Sequence, residues 1–316
     1  MAQVGVNSQK LTEHYAYYNG DSSEVLKGLA TGTVDLIVTS PPFSQLYTYS
    51  NSERDLGNSR TDAEFFEHFD FIIRELLRVL KPGRVAAIHV MDIPAMLVRD
   101  GYIGLKDFSG EVIRAFIAGG FVFDGRVPID KNQQAQSIRT HSKALTKASW
   151  SKDRSWLRPA LPDYILKFRK PGENVAPVVD HMTFEEWIDW ANPTWPSETD
   201  RCADGGAFST WYGISEQDTL NINESRTAEQ EKHICPLQLG TINRCIRLWS
   251  NPGESVLDPF AGIGSVPYEA VRLGRQGLGV ELKPEWWRVG CKNLDRAVAD
   301  TQSVDLFAFA GVAVGS

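Results

Sequence analysis

The chain has 316 residues, 42% of them hydrophobic, so it can bury a core large enough for one large domain or two smaller ones. Its four cysteines lie far apart without a CxxC pair, which argues against a disulfide framework or a metal site and favours a reducing cytoplasm. Residues 1–10 do not resemble an export signal, and the apolar stretch 306–314 is too short to cross a membrane.

Charge is distributed unevenly along the chain, although the formal net charge is only −7. Residues 126–170 carry eleven Lys and Arg against three Asp, whereas residues 171–231 carry thirteen acidic residues against two Arg. Because Lys and Arg drive binding to phosphates, the first stretch can face a nucleic acid and the second repels one.

Strand and helix patterns alternate along most of the chain. In chain order they predict a turn entering a short helix (17–29), a buried strand (34–39), an amphipathic helix (61–80), strand 84–90, helix 108–120, strands 121–127 and 163–170, helix 237–250, strand 255–260, helix 265–274, strand 276–282 and helix 284–299. Residues 171–230 break the pattern and predict an irregular insertion. Alternation on both sides of this insertion predicts an α/β fold with one doubly wound, mostly parallel Rossmann-like sheet, built from two separated parts of the chain.

The most informative stretch is VLDPFAGIGSVPYEAVRLGRQGLGVEL, residues 256–282. A turn with Gly262 and Gly264 joins a strand to a helix, and Glu281 closes the next strand, so a nucleoside can approach the backbone and the carboxylate can take two ribose hydroxyls. The third glycine of the dinucleotide fingerprint is missing, which favours S-adenosylmethionine, with Asp258 facing its ammonium. The alternative is a tight turn followed by a solvated Glu281.

A second motif, Ser40-Pro41-Pro42-Phe43, follows the buried strand at 34–39. Taken alone, it fits a strand-ending turn with a core Phe as well as a catalytic loop, since Pro is common where strands end.

Together the two motifs resemble the β class of DNA amino-methyltransferases. VDLIVTSPPF is similar to their catalytic motif, which has Asp, Asn or Ser, then two prolines and an aromatic residue, while DPFAGIGS and GLGVEL are similar to their cofactor half. The resemblance covers residues 18–170 and 231–296. It implies a catalytic part at 1–170 with a basic loop at about 126–160, an insertion at 171–230 in the place of a target-recognition region, and a cofactor-binding part at 231–316.

The resemblance also implies the chemistry. A methyl group passes from S-adenosylmethionine to the exocyclic amine of a base flipped out of duplex DNA, Ser40 Oγ and the Pro41 carbonyl accept the amine hydrogens, Pro42 stiffens the turn and Phe43 stacks on the base. Carbon-5 methylation is rejected, because that reaction uses Pro-Cys and this chain has only the reversed order, Cys235-Pro236.

Further site residues follow from the resemblance. Asp21 contacts the cofactor's adenine or merely stabilises a turn, and His233 lies near the methionine part with Pro236 or is only structural. The predicted cofactor residues are Asp21, His233, Pro236, Asp258, Pro259, Phe260, Gly262, Gly264 and Glu281. The predicted DNA-binding residues are Lys131, Arg139, Lys143, Lys147, Lys152, Arg154 and Arg158, although a basic stretch is often only a solvated linker.

The identity of the substrate stays open at this level. Ser at the first motif position leans toward cytosine N4, and adenine N6 is the alternative. An RNA or small-molecule methyltransferase, or a nucleic-acid-binding protein without activity, are alternatives of another class. The acidic insertion could contact a second subunit or read bases with few backbone contacts, and a homodimer is one candidate assembly.

Overall fold

The computed structural model describes residues 5–43, 56–59, 61–129, 151–156, 162–179, 182–191, 214, 217–220 and 236–309. The strands are β1 (Val6–Leu11), β2 (Tyr15–Gly20), β3 (Val34–Thr39), β4 (Leu80–Met91), β5 (Ile93–Ala95), β6 (Gly104–Lys106), β7 (Val122–Ile129), β8 (Asp163–Arg169), β9 (Ser255–Asp258) and β10 (Gln276–Glu281). The helices are α1 (Ser22–Val25), α2 (Asp62–Val79), α3 (Leu97–Asp100), α4 (Phe108–Ala118), α5 (Phe184–Ala191), α6 (Leu239–Trp249), α7 (Ser265–Arg272) and α8 (Pro284–Phe309). Short 3₁₀ turns lie at Leu26–Gly28, Leu56–Asn58 and Arg154–Trp156.

One eight-stranded sheet organises the fold, in the order β1-β2-β10-β9-β3-β4-β8-β7. Its neighbours from β2 to β4 are parallel, whereas β1, β8 and β7 pair antiparallel. Because β9 and β10 lie between β2 and β3, the sheet contains strands from both ends of the chain. This confirms the predicted α/β fold with a mostly parallel sheet. The domain boundaries at 170 and 230 stay predictions.

Strand β3 is buried along its whole length because helices cover both faces of the sheet. Ile37 belongs to the same buried cluster as Phe69 of α2. Leu36 and Val38 point to the opposite face and belong to a cluster with Ile246 of α6. Because side chains on both faces of β3 are buried, its sequence is a continuous apolar run rather than an alternation of apolar and polar residues.

Helix α2 begins and ends close to the predicted positions. The Thr61 side chain accepts a hydrogen bond from the amide of Glu64, and the apolar stripe from Phe65 to Val79 is buried. The following strand begins earlier than predicted, at Leu80 rather than Arg84, because the Lys-Pro-Gly segment already runs along the sheet.

The N-terminal prediction was wrong in one respect. Residues 17–20 form the end of strand β2 instead of a turn, and β1, which was not predicted, pairs with it. Asn19-Gly20 suggests a turn locally, but Asn19 Nδ2 donates to the carbonyls of Glu281 and Leu282 at 2.9 and 3.0 Å, and Tyr17 is fully buried. Tertiary pairing thus overrides the local turn signal.

Within the described ranges, every helix is too short or too polar to span a bilayer.

Candidate active site

Loops that follow four neighbouring parallel strands line a single pocket at the carboxyl edge of the sheet, where α/β folds usually bind ligands. Residues 40–43 follow β3, residues 259–263 follow β9, residues 282 and 283 follow β10, and residues 21 and 22 follow β2. The two sequence motifs, about 220 residues apart in the chain, therefore face the same cavity. Further lining comes from Leu56, Ile72, Pro236, Leu237, Ser265, Val266, Val280 and Trp286.

The predicted catalytic loop presents one polar side chain to this pocket. Ser40 Oγ lies 3.0 Å from Nδ1 of His89, and Nε2 of the same ring lies 3.1 Å from Oδ2 of Asp163. The ring of Phe43 packs edge-to-face on Phe108 at 6.0 Å and is only 8% exposed, so most of it belongs to the core. His89 and Asp163 were not predicted, because each lies on a different strand from the motif.

The backbone of the glycine turn after β9 adopts a conformation that favours glycine. Gly262 and Gly264 have φ angles of 57° and 86°, in the left-handed region that favours glycine. The amide of Gly262 donates to Oε2 of Glu281 at 2.9 Å, and the amide of Lys283 donates to Oε1 at 2.7 Å. Glu281 is buried and fastens the turn to the end of β10, so the alternative of a solvated strand end is wrong.

Asp258 connects the two motifs. Its Oδ1 accepts hydrogen bonds from Thr39 Oγ1 at 2.6 Å and from the amide of Phe260 at 2.9 Å, which joins the end of β3 to the turn after β9. Burial raises the pKa of this carboxyl to about 7, against the lowering effect of the two hydrogen bonds. Near neutral pH, the pocket wall therefore holds a carboxyl that readily gains or loses a proton.

Asp21 serves the fold in addition to lining the pocket. Its Oδ1 accepts from the amide and the hydroxyl of Ser23, both at 2.8 Å, and so caps α1. Next to it, Ser22 Oγ donates to the Pro259 carbonyl, and Tyr17 OH donates to the Gly262 carbonyl at 2.5 Å. These contacts hold the glycine turn against β2 and α1, and no sequence pattern signals them.

The pocket wall also contains the buried hydroxyl of a serine. Ser265, the first residue of α7, is 5% exposed, and its Oγ has no hydrogen-bond partner among the described residues. A buried polar atom at a helix N-terminus suits an anionic or acceptor group of a ligand. Its position directly after Gly264 is the signal that could have identified it.

Among the predicted cofactor residues that the structure describes, Gly264 belongs to the glycine turn but does not itself line the pocket. His233 and five of the predicted DNA-binding residues lie outside the described residues, namely Lys131, Arg139, Lys143, Lys147 and Arg158. Lys152 and Arg154 are exposed in the segment 151–156 and do not line the pocket. Pro236 does line it.

Comparison with known proteins decides the family. Residues 34–290 match the DNA methylase family of N6 and N4 methyltransferases. The chain belongs to this family. It is 27% identical over 290 residues to the type II methyltransferase M.XycI of Xanthomonas campestris pv. cyanopsidis, covering 85% of this chain and 84% of that protein.

Solved structures agree with the fold. The DNA methylase chain is similar to a DNA modification methylase of Thermus thermophilus complexed with S-adenosylmethionine, with a TM-score of 0.58, 25% identity, and coverage of 90% of this chain and 96% of that one. The cytosine-N4-specific PvuII DNA methyltransferase has a TM-score of 0.62 at 17% identity, covering 94% and 95% of the two chains, which supports the fold alone. The protein is an S-adenosylmethionine-dependent DNA amino-methyltransferase of the β class.

The pocket fits S-adenosylmethionine on three observations. The Glu281 carboxylate lies in the pocket wall and is held there by two backbone amides, and a carboxylate in this position suits a ribose hydroxyl as a donor. The Ser265 hydroxyl lacks a partner among the described residues, and the buried Asp258 carboxyl gains its charge most easily beside a cation. In the same described part of the chain, no cluster of His, Cys, Asp and Glu has the arrangement of a metal site.

Proposed function

We propose that this DNA methylase transfers the methyl group to the N4 amine of cytosine, on a base turned out of duplex DNA into the pocket. The observation that supports the proposal is the shared cavity, which Ser40 and Pro41 line together with Asp258, Gly262 and Glu281. Two hydrogen-bond acceptors for an amine therefore line the same cavity as the residues that would hold the methyl donor.

The chain's own contribution is positioning. The lone pair of an exocyclic amine is delocalised into the base ring, which makes the amine a poor nucleophile. Ser40 Oγ and the Pro41 carbonyl accept the two amine hydrogens and hold the nitrogen with its lone pair directed at the methyl group. The two prolines fix φ and keep that carbonyl in place. The exposed part of Phe43 gives the base a contact, and apolar walls such as Leu56 and Ile72 keep water away.

The remaining pocket residues hold the cofactor in this proposal. S-adenosylmethionine supplies an electrophilic methyl group on a sulfonium. Glu281 takes the ribose hydroxyls, Asp258 takes the ammonium and Ser265 takes the carboxylate of the methionine part. Asp21 lies beside the adenine, with its carboxylate also capping α1.

Serine at the first motif position favours cytosine, since the family more often has Asp or Asn for adenine N6. A serine hydroxyl can nevertheless serve either amine, so adenine N6 is the second candidate. Lys152, Arg154 and the other predicted cations would supply the phosphate contacts that offset the few kcal/mol needed to extrude a base.

The test is to identify the modified nucleoside. Duplex DNA is incubated with the protein and methyl-labelled S-adenosylmethionine, then digested and chromatographed. Label in N4-methylcytosine supports the proposal, and label in N6-methyladenine supports the second candidate. Label in neither, with RNA or a small molecule labelled instead, contradicts both.

The Ser40→Ala variant tests the assigned acceptor. Losing one preorganised hydrogen-bonding group is expected to lower the methyl-transfer rate by about 10²-fold while S-adenosylmethionine still binds normally. Ser8→Ala, at an exposed position on β1, is the matched control and should behave as wild type. Full activity of Ser40→Ala would contradict the role proposed for Ser40.

A further inference from the structure

Three polar side chains behind the catalytic loop form a continuous hydrogen-bonded chain. Ser40 Oγ is 3.0 Å from Nδ1 of His89, and Nε2 of His89 is 3.1 Å from Oδ2 of Asp163. His89 is 6% exposed and Asp163 is 3% exposed, and of the three only Ser40 lines the pocket. A substrate could therefore reach the other two only through Ser40.

The sheet register places these residues side by side. Thr39 of β3 is paired with Ile88 of β4, so the next positions, Ser40 and His89, are neighbours. Asp163 is the first residue of β8 and pairs with Met91, two residues beyond His89, so both side chains point to the same face. The three side chains thus cross three adjacent strands.

The hydrogen-bond partners of His89 determine which of its ring nitrogens carries the hydrogen. The carboxylate of Asp163 accepts a hydrogen bond, so Nε2 of His89 carries the hydrogen and Nδ1 of the neutral ring is an acceptor. The Ser40 hydroxyl must then donate to Nδ1, which leaves its lone pairs free for a donor in the pocket. An Asp or Asn at this motif position has an acceptor oxygen without such help, whereas a serine hydroxyl needs a partner to orient its hydrogen.

We propose that His89 and Asp163 are positioning residues that make Ser40 the proton acceptor of the methyl transfer. The inference rests on the role given to Ser40 in the proposed function. As the amine nitrogen bonds to the methyl carbon, the carbon–sulfur bond breaks, its electron pair stays on sulfur and the nitrogen gains a positive charge. The N–H proton then moves to Ser40 Oγ, and the Ser40 proton moves to Nδ1 of His89. The imidazolium is stabilised by the Asp163 carboxylate and returns the proton through Ser40 Oγ to water after the methylated base has left the pocket.

The buried setting supports a function rather than packing alone. Breaking such a network by removing one member leaves a buried polar group unpaired, whereas apolar residues of similar volume would fill the same space at little cost. Phe43 lies over one side of the arrangement, with its ring centroid 6.1 Å from that of His89, and shields the relay from water.

Two variants and one control test the relay. Asp163→Asn keeps the shape but offers an amide hydrogen to Nε2, which forces the hydrogen onto Nδ1 and blocks proton transfer from Ser40. His89→Gln removes the proton acceptor. His68→Gln, on the exposed side of α2, is the matched control. Binding of S-adenosylhomocysteine, measured by calorimetry, verifies that each variant is folded.

The expected results separate a relay from a structural contact. Single-turnover methyl transfer should fall by about 10²-fold in Asp163→Asn and His89→Gln, within the usual range for general acid–base groups, and not in His68→Gln. ¹⁵N NMR of the imidazoles should show His89 protonated on Nε2 in wild type and on Nδ1 in Asp163→Asn.

The outcomes also distinguish this inference from the proposed function. Label on adenine instead of cytosine would change the substrate and leave the relay test intact, since the rate of either methylation can be followed. If wild type methylates no DNA, or His89→Gln does not fold, the NMR tautomer decides. Wild-type rates in both variants, or His89 protonated on Nδ1 in the wild-type protein, would overturn the relay.

Discussion

Burial changes the protonation of the Asp258 carboxyl in the pocket wall. Its pKa is raised to about 7, so between about pH 4 and 7 the ligand-free folded protein holds a proton that the unfolded chain has already lost. The stabilisation that this proton provides is complete at low pH and disappears as the pH rises to 7. A cation beside the carboxyl favours the charged form, and binding must therefore release the proton.

The first prediction concerns this proton. If Asp258 takes the cofactor's ammonium, affinity for S-adenosylhomocysteine, which carries the same ammonium, should tighten by up to about tenfold per pH unit below pH 7 and level off above it. In Asp258→Asn the affinity should be weaker and should lose this dependence. Calorimetry in two buffers of different ionisation enthalpy measures both the affinity and the proton release. An unchanged slope in Asp258→Asn would assign the effect to another group.

The second prediction concerns the glycine turn. A side chain at the left-handed φ of Gly262 costs about 1–2 kcal/mol, so Gly262→Ala should lower the free energy of unfolding by that amount. Gly32 has a similar φ of 66° and equally open surroundings, which makes Gly32→Ala a matched control. Both variants should lose similar stability in urea denaturation. Only Gly262→Ala should weaken cofactor binding, because its amide is bonded to Glu281 and its new methyl group lies in the pocket wall.

Among the elements, β4 connects the site to the rest of the sheet. Arg84 on this strand donates to the carbonyls of Asp35 on β3 and Ala176 beyond β8, each at 2.9 Å, and forms an ion pair with Glu254 before β9. The Arg84 side chain is 2% exposed. One buried guanidinium thus ties together β3 and the start of β9, whose following loops line the pocket, and the segment beyond β8.

The third prediction follows from that arrangement. Arg84→Met leaves Glu254 without its cationic partner and two carbonyls without a donor, and should cost about 3–5 kcal/mol of unfolding free energy. Arg74→Met removes the Arg74–Asp70 pair, in which the Arg side chain is 70% exposed, and should cost less than about 1 kcal/mol. Denaturant titration of the two variants measures the difference. Equal losses would show that burial of Arg84 does not decide the cost.

The elements also show what the sequence could predict. Strands β3, β9 and β10 and helices α2, α7 and α8 have clear periodicity, and their order placed Ser40 and Glu281 at one sheet edge. Strand β2 was misread because Asn19-Gly20 signals a turn, and only its pairing with β10 makes it a strand. His89 and Asp163 were missed because strand pairing brings together residues far apart in the chain: Ser40 and His89 are 49 residues apart, and His89 and Asp163 are 74 apart. Nothing near them in sequence marks them.

At the scale of the whole molecule, the net charge of −7 has the same sign as the phosphates of DNA, so the distribution of charge along the chain matters for binding. The basic residues are concentrated between 126 and 170, ahead of the acidic residues at 171–231. Of the predicted DNA-binding residues, Lys152 and Arg154 are exposed in a segment where Asp153 accepts hydrogen bonds from Ser155. We expect DNA to contact Lys152 and Arg154, and the interaction to depend strongly on salt.

The last prediction tests that expectation. Each phosphate contact contributes about 0.9 to the slope of log K against log salt, so Lys152→Gln with Arg154→Gln should reduce the slope by about 2 and leave cofactor affinity unchanged. Lys27→Gln with Arg74→Gln is the control, because it removes the same charge from exposed positions on other elements. Fluorescence anisotropy of a labelled duplex at several salt concentrations gives both slopes. A local contact changes the slope only in the first pair, whereas an effect of net charge alone would change it equally in both and contradict the assignment of residues 152 and 154.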